Sequence, residues 1–458
     1  MLPSLDRRIV ALAVPALGAL AVEPLYNLTD TAIVGHLGRA PLAGLALAAT
    51  VLNVAGWSFG FLSMATTSQV AFRLGRGDRE AAERAAAAAY WVAVVTGVVL
   101  AAAVAASARP VAALLGGQGR VQDQAVEYLR LSALGLPFLL VTLAGNGHLR
   151  GLEDTRTPLR ITLGANLANL TLEVVLVYVA GAGIAGSALG TVTAQVLAAA
   201  SFLVVARRRA GRLPTRPGRE ETGALLRAGV VLFVRTAALV AALTAATAVA
   251  ARLGAQVVGG HQIGLQVWLL LALTLDAMAV PAQVFVGQAM GREDAGEAGR
   301  VARRVLRLGL LVSVVLGVLT AALAGVVPAV FTADAAVRHN ATLALVVVGL
   351  SQPLAALAFV YDGLLLGAGD YASLRRAMIL ALAGFAPLAA LTLRFHRLGV
   401  AGVWGALACW MAARAVILWR TWRRGGWRDA HARAGARASV SGRPRSRRTP
   451  WPAARGRR

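Results

Sequence analysis

Residues 82–108 read AERAAAAAYWVAVVTGVVLAAAVAASA, and after Glu83 and Arg84 the run carries no charge. A stretch of about 20 mostly apolar residues is what a helix needs to cross the hydrocarbon core of a bilayer. Runs of this kind recur along the chain. They fall at roughly 9–37, 41–72, 82–108, 122–147, 158–180 and 184–206, and again at 223–251, 255–290, 298–331, 339–366, 374–393 and 399–419. The composition agrees: 58% of the 458 residues are hydrophobic, 15% are charged, and the mean hydropathy is +0.66. Soluble domains are about 45–50% apolar and about 25% charged, so a water-soluble enzyme of this length is excluded. Cys409 is the single cysteine, which excludes a disulfide-built secreted scaffold. The expected class is an all-α polytopic membrane protein with twelve transmembrane helices.

The formal net charge is +25, and all 46 basic residues are arginine. Their positions matter more than their number. The N-terminus, the even-numbered loops and the C-terminal end hold 36 of them, the odd-numbered loops hold 7, and Arg130, Arg235 and Arg414 lie inside spans. Cytoplasmic loops carry the arginine excess, so both termini are expected on the cytoplasmic side of a cell (inner or plasma) membrane. From Thr421 onward arginine alternates with Gly, Ser and Pro. That composition predicts a disordered basic tail, 421–458, drawn to anionic membrane lipids. With no fold to present the charge, no nucleic-acid partner is expected. The first apolar run is too long, and too rich in carboxylates, for a cleavable signal.

The chain repeats itself. A shift of 216 residues lays Gly75-Arg76-x-Asp78 over Gly291-Arg292-x-Asp294, Pro137 over Pro353, Gly151 over Gly367 and Asp154 over Asp370. The same shift lays Gly183-Ile-Ala-Gly186 over Gly399-Val-Ala-Gly402. Six spans per repeat is an even number, so the two repeats share one orientation and form two parallel six-helix lobes. The expected division is 1–206 for the amino-terminal lobe, 207–222 for a cytoplasmic linker and 223–420 for the carboxy-terminal lobe. Transporters use such repeats, with a substrate cavity between the halves near the midplane.

A carboxylate at the bilayer centre costs about 2.5–3.5 kcal/mol on insertion scales, which makes its presence a functional hypothesis. In the first span Glu23, Asn27 and Asp30 are spaced i, i+4, i+7 and are expected on one helical face, with Pro15 and Pro24 able to bend the helix. In the fifth span Asn166, Asn169 and Glu173 follow i, i+3, i+7, and the sixth adds Thr191 and Gln195. Facing stripes of this kind predict a small cavity lined by carboxylate and amide oxygens, suited to a proton or a sodium ion. Two carboxylates in one low-dielectric site titrate as a pair. Glu23 could instead reach water near one membrane face. In the second half Asp276 and Asp362 are deep in apolar sequence, either as a substrate or coupling site or as ion-pair partners of Arg235 and Arg414.

Other patterns fail on context. Gly181-Ala-Gly183-Ile-Ala-Gly186 fits G-x-G-x-x-G, but no strand precedes it, so it predicts a tight loop with close helix packing. Asn27-Leu-Thr29 fits a glycosylation sequon inside a span. The six histidines lack metal-ligand spacing, and nothing matches a Walker A loop. No enzyme constellation, no cofactor and no certain metal site are expected.

The run Pro24-Leu-Tyr26-Asn-Leu-Thr-Asp30-Thr31-Ala-Ile-Val-Gly35-His-Leu-Gly38 resembles the first-helix signature of the multidrug and toxic compound extrusion (MATE) family. Gly287-Gln288-x-x-Gly291-x-x-Asp294 and Asn169-x-x-x-Glu173, followed by Gly183-x-x-Gly186-x-Ala188-x-x-Thr191, extend the resemblance. Leu275-Asp276 and Phe359-Val-Tyr-Asp362-Gly363 resemble the DNA-damage-inducible-F (DinF) branch. The likeness runs from about residue 8 to 420. It implies a V of two lobes and export of amphiphilic, often cationic small molecules in exchange for protons or sodium. Carried over by position, Asp30, Asn169, Glu173 and Thr191 match the amino-lobe cation site, where sodium is also possible. Tyr26 and Asn146 match its surroundings, and Pro15 matches the proline at which the first helix bends. Many relatives place Asp where Glu173 stands, which favours protons. A monomer is expected. The alternatives are a lipid-linked precursor flippase, which would line its centre with several arginines, and a membrane scaffold acting through its tail.

Overall fold

The computed structural model describes residues 5–210 and 218–429. The first six-helix repeat comprises α1 (Leu5–Gly35), α2 (Arg39–Phe59), α3 (Phe61–Gly75), α4 (Arg79–Leu114), α5 (Gly119–Ala133), α6 (Leu136–Gly151), α7 (Arg156–Val174) and α8 (Gly183–Ala210). The second comprises α9 (Arg219–Leu253), α10 (Ala255–Gly291), α11 (Ala295–Ala322), α12 (Val327–Phe331), α13 (Ala335–Gly367), α14 (Tyr371–Arg394) and α15 (Gly399–Arg424). Eleven spans are long and apolar enough to cross a membrane, and the bent pair α5–α6 makes a twelfth. The described residues contain no strand.

Several boundaries differ from the sequence reading. The second span breaks at Gly60 into α2 and α3, and the fourth bends by 51° between α5 and α6. The ninth stops at Ala322, because the chain turns before Pro328 opens the separate short helix α12. α1 runs unbroken through Pro15 and Pro24. α15 continues past Thr421 to Arg424, where Gly425 takes the left-handed conformation (φ 72°) that ends helices. Trp427 then folds back, its ring 4.2 Å from that of Trp422 and its Nε1 donating to the Trp422 carbonyl at 2.8 Å. The rest of the basic tail, 430–458, and linker residues 211–217 lie outside the described residues. On either side of that gap the expected linker is helical, through Ala210 and from Arg219.

The aspartates that punctuate both repeats cap helices. Asp78 accepts from Ala81 N at 2.8 Å, and its repeat partner Asp294 accepts from Glu297 N at 2.7 Å. Asp154 accepts from Thr157 N at 2.9 Å, and its partner Asp370 from Ser373 N at 3.3 Å. The first amides of a helix have no intrahelical acceptor, and a carboxylate meets both that need and the helix dipole.

Among the described residues the cores of the two repeats merge at one end, the end that carries Arg76 and Arg292. One core there mixes Ile9, Leu12, Leu62 and Val70 of the first repeat with Leu225, Leu232, Phe285 and Leu364 of the second. Toward the other end the core divides. One branch, around Val34, Leu45 and Leu129, belongs to the first repeat, and the other, around Trp268, Phe385 and Trp410, to the second. This division is the V. At its apex α3 crosses α10 with backbones in contact. A Cβ on Gly75 would run into the Gln288 carbonyl, and one on Gly291 into the Phe72 carbonyl. Gln283 Nε2 donates across the joint to Met64 O (2.6 Å) and Ser68 Oγ (2.7 Å), while Ser68 Oγ donates to Leu366 O (2.7 Å).

Two outcomes follow from this geometry. Gly75→Ala and Gly291→Ala should each loosen the crossing by about 1–3 kcal/mol, the usual scale of overpacking. The reading is a lower melting temperature in detergent, with Gly56→Ala unaffected because its Cβ would meet nothing within 4 Å. Asp154 gives a pH test. Burial pushes its carboxyl up, but Thr157 and Arg209 outweigh burial and hold it below the usual carboxylate range. Its contribution is complete above the unfolded value of about 4 and is lost as pH falls through the lower folded one. Asp154→Asn keeps the cap but removes the charge facing Arg209 and the helix dipole, so it should cost up to about 1 kcal/mol at neutral pH, with the gap to wild type closing below about pH 4.

Candidate functional site

In the branch of the V built by the first repeat, α1, α5, α7 and α8 bring polar groups together inside apolar sequence. Asp30 is 6% exposed, and Asn169, Glu173 and Ser187 are 2%, 0% and 0% exposed. Ser187 Oγ donates to Asp30 Oδ1 at 2.6 Å. Glu173 lies against Asp30, and the groups acting on it are Asp30 and Ser187, with no arginine among them. Both Glu173 oxygens and Asn169 Oδ1 are buried without a hydrogen bond of normal geometry. Thr191 Oγ1 donates to Ser187 O at 3.1 Å and stands 2.7 Å from the Tyr26 hydroxyl, which is therefore the donor of that bond. Tyr128, 4% exposed, faces Asp30, Ser187, Thr191 and Glu173 from α5.

Local backbone features build this cluster. Asn169 and Glu173 are one helical turn apart on α7. Directly after α7 the chain forms a π-helical turn, Val175–Val179, of the kind that marks functional sites. From this turn the Tyr178 hydroxyl donates to Ile33 O at 2.9 Å, tying the segment to α1. Gly186 and Gly190 let α8 approach closely. A Cβ on Gly186 would stand 2.9 Å from the Leu176 carbonyl carbon, and one on Gly190 3.1 Å from Asn169 Oδ1. Gly181, in the loop before α8, and Gly183, its first residue, take positive φ (66° and 55°), as the glycine spacing predicts. Gln195 Oε1 packs into the α5–α6 break, where Gly135 leaves room for it.

The structure thus brings together Asp30, Asn169, Glu173, Thr191 and Tyr26. It does not bring in every expected residue. Asn27 is exposed rather than packed into this cluster, whereas Tyr26, one turn before Asp30, bonds to Thr191. Asn146 and Asn166 donate to the backbone one turn earlier, to Thr142 O (3.1 Å) and Thr162 O (2.8 Å). The side chain of Glu23 lies outside the described residues. Ser187, Tyr128 and Tyr178 escaped the sequence reading. Ser187-Thr191-Gln195 at i, i+4, i+8 was a usable signal for the first, whereas nothing local marks the two tyrosines.

The second repeat holds a different group. Asp362 (3% exposed) accepts from both Arg235 and Arg414 through its Oδ2. Asp276 is half-buried, and Arg235, Arg414 and Arg150 act on it. Asp362 is therefore paired with both arginines in this structure.

The MatE family model matches the chain twice, over residues 15–175 and 232–392. The chain belongs to the MatE family. Each match covers most of one repeat. Among relatives, Protein DETOXIFICATION 44, chloroplastic, of Arabidopsis thaliana is 33% identical over 91% of this chain and 82% of its own length. DNA damage-inducible protein F of Escherichia coli is 28% identical over 93% and 94%. Among solved structures, a MOP superfamily transporter from Pyrococcus furiosus aligns with a TM-score of 0.85 at 20% identity over 94% of this chain and 97% of its own. A MATE family transporter in an outward-facing conformation aligns at 0.81 and 21% identity, over 95% and 97%. The MatE chain is thus a multi-pass membrane transporter and not an enzyme, and its likeness to DNA damage-inducible protein F spans nearly the whole of both chains.

The Ser187–Asp30 bond is open to a double-mutant cycle. Ser187→Ala leaves a buried carboxylate oxygen short of its donor and should cost about 1–3 kcal/mol. In an Asp30→Ala background the same change should cost far less, because the partner is gone. Equal losses in both backgrounds, read as melting temperatures in detergent, would show that the bond contributes nothing.

Proposed function

We propose that this MatE transporter exports amphiphilic, often cationic small molecules by antiport, with protons as the coupling ion. The observation that carries the reading is the contact between Asp30 and Glu173 in an apolar lobe with no arginine beside them. Two like charges cannot both persist there, so the pair holds a proton, a cation or a cationic substrate. Sodium would need the same oxygens, but Thr191 Oγ1 is already engaged by Tyr26 and by the Ser187 carbonyl. A proton needs only the carboxylates. The glutamate at 173, in place of the aspartate of many relatives, shortens the gap a proton must bridge and alters the cavity a metal ion would fill.

On this reading the arginine-rich apex is cytoplasmic, the membrane is the cell membrane, and the V opens outward. The lobes 1–206 and 223–420 rock as units, and the monomer is the working form. A proton arriving from outside settles on the acid pair and displaces a cationic group from it. After the lobes reorient, the deprotonated pair loads the next substrate. Coupling requires proton and substrate to favour different states, since equal affinity for both would shift nothing. Competition for one pair of carboxylates meets that condition.

The test is transport in liposomes with a fluorescent cationic dye, imposing pH and sodium gradients separately. Dye movement should follow the pH gradient and fall at least tenfold in Asp30→Asn, with insertion unchanged. Movement driven by sodium alone would overturn the ion, and undiminished movement in Asp30→Asn would overturn the site.

A further inference from the structure

Two arginines recur at equivalent positions of the repeats in different surroundings. Under the 216-residue shift Arg160 and Arg208 lie over Arg376 and Arg424, and all four are exposed. Between the helices that carry them the sequence changes. Gly164 and Ser201 of the first repeat lie over Leu380 and Ile417 of the second. Where the second repeat has these two bulky side chains, the first has a groove of about 310 Å3 between α7 and α8. It is lined by Arg160, Ile161, Gly164, Ala165, Leu197 and Ser201. A Cβ on Gly164 would meet nothing within 4 Å.

The groove continues the line along which α7 and α8 touch. Near the acid pair Gly186 and Gly190 bring the two helices into contact, and toward the Asp154–Arg209 pair the groove parts them. α1 packs against another face of α7, with Leu159 on Gly18, and α6 against another face of α8, with Phe202 on Gly145. The mouth of the groove therefore opens away from both, on the side where Leu163, Leu167 and Val196 are exposed. In a membrane-spanning lobe that side faces lipid.

Charge marks one end of it. On α8, Leu197, Ser201 and Arg208 are spaced i, i+4, i+11 and share a face, while on α7 Arg160 stands one turn from Gly164. Neither Arg160 nor Arg208 has a hydrogen bond or an ion pair among the described residues, whereas Arg209 and Arg8 at the same end pair with Asp154 and Glu153. An apolar slot open to lipid, with two unpaired guanidiniums at its end, is complementary to a chain that ends in a phosphate.

We propose that the α7–α8 groove is a binding site for one anionic phospholipid, an acyl chain along Gly164 and Leu197 and the phosphate on Arg160 and Arg208. Any arginine near the surface attracts an anionic leaflet, so both repeats share that attraction. The groove is what the first repeat adds to it. The site rests on the membrane-spanning fold and not on the proton-coupled reading.

The test is native mass spectrometry of the purified full chain in detergent with no gradient, so its failure would leave proton coupling standing. The probes are phosphatidylglycerol and zwitterionic phosphatidylcholine with the same acyl chains. The first phosphatidylglycerol should bind at least tenfold more tightly than phosphatidylcholine. Gly164→Leu copies the second repeat into open space and leaves every charge in place. It should weaken that binding at least tenfold with an unchanged melting temperature. The double variant Arg160→Gln, Arg208→Gln should weaken it as much, and Arg376→Gln, Arg424→Gln should leave it within twofold. Glycerol 3-phosphate, a headgroup without chains, should not displace the lipid. Equal affinity for the two lipids, unchanged binding in Gly164→Leu, or equal loss in the two arginine doubles overturns the site. So does displacement by glycerol 3-phosphate, which would make the ligand a soluble phosphate.

Discussion

The backbone contact between α3 and α10 is the constraint on which the rest of the structure depends. The two bundles share one core at that end and separate beyond it, so the crossing sets the apex and the opening of the V. It exists because Gly75 and Gly291, equivalent positions of the duplicated sequence, have no Cβ to hold the helices apart. In hydrocarbon, where apolar side chains gain little by leaving lipid, helices associate through close packing of small residues and a few interhelical hydrogen bonds. Gln283 and Ser68 supply those bonds beside the glycines. Around that contact lies the apolar core shared by both repeats, so the joint is tight and confined to one end.

What the repeats share builds this scaffold, and where they differ they build chemistry. The capping aspartates and the crossing glycines occur in both halves. The ionisable residues within the spans do not. Under the 216-residue shift Asp30 lies over Ala246, Glu173 over Ala389 and Ser187 over Val403. In the other direction Arg235 lies over Ala19, Arg414 over Ala198 and Asp276 over Gly60. Asp362 lies over Asn146, the one matched pair that is polar in both. Each lobe has charged one set of positions and left the other lobe's set small or apolar. One lobe thereby gained a buried acid pair, and the other gained two arginines paired with aspartate.

The fold was legible because membrane helices announce themselves. Twelve apolar runs, an arginine excess on one side and a repeat with a single offset leave few architectures open. Hydropathy averages over a whole run, however, and misses what happens within it. The break at Gly60, the 51° bend between α5 and α6 and the π-turn after Glu173 are all apolar in sequence. The acid pair was readable as carboxylates out of place, and Asn169 and Thr191 as polar residues at helical spacing. Asn27, on the same broad face by its i, i+4, i+7 spacing, stays outside the buried cluster that Tyr26 joins. Tyr128 was invisible for a different reason. A tyrosine in an apolar run resembles core until the fold shows what its hydroxyl meets. The pairing of Asp362 with two arginines from distant helices is a tertiary fact that spacing can only offer as one option.

One helix connects the acid pair to the crossing. α1 carries Asp30 near one end, while at the other its Ile9, Leu12, Ala13 and Ala16 belong to the core shared by both lobes. There Arg8 stacks on Phe285 of the second repeat at 4.8 Å, and Asp6 meets Arg304 at 3.4 Å. Between the two ends lie Pro15 and Pro24, each removing a backbone hydrogen bond from the helix. Thr155 Oγ1 donates to the Leu12 carbonyl at 3.0 Å, tying that part of α1 to the loop before α7, the helix that bears Glu173. A change of charge on the acid pair therefore acts on a helix weakened at two points and anchored in the opposite lobe. Spatial continuity alone is no proof of coupling. The physical requirement is an element with two arrangements that both sites bias, and α1, packed into the acid cluster at one end and into the shared core at the other, is the element on which that requirement can be tested.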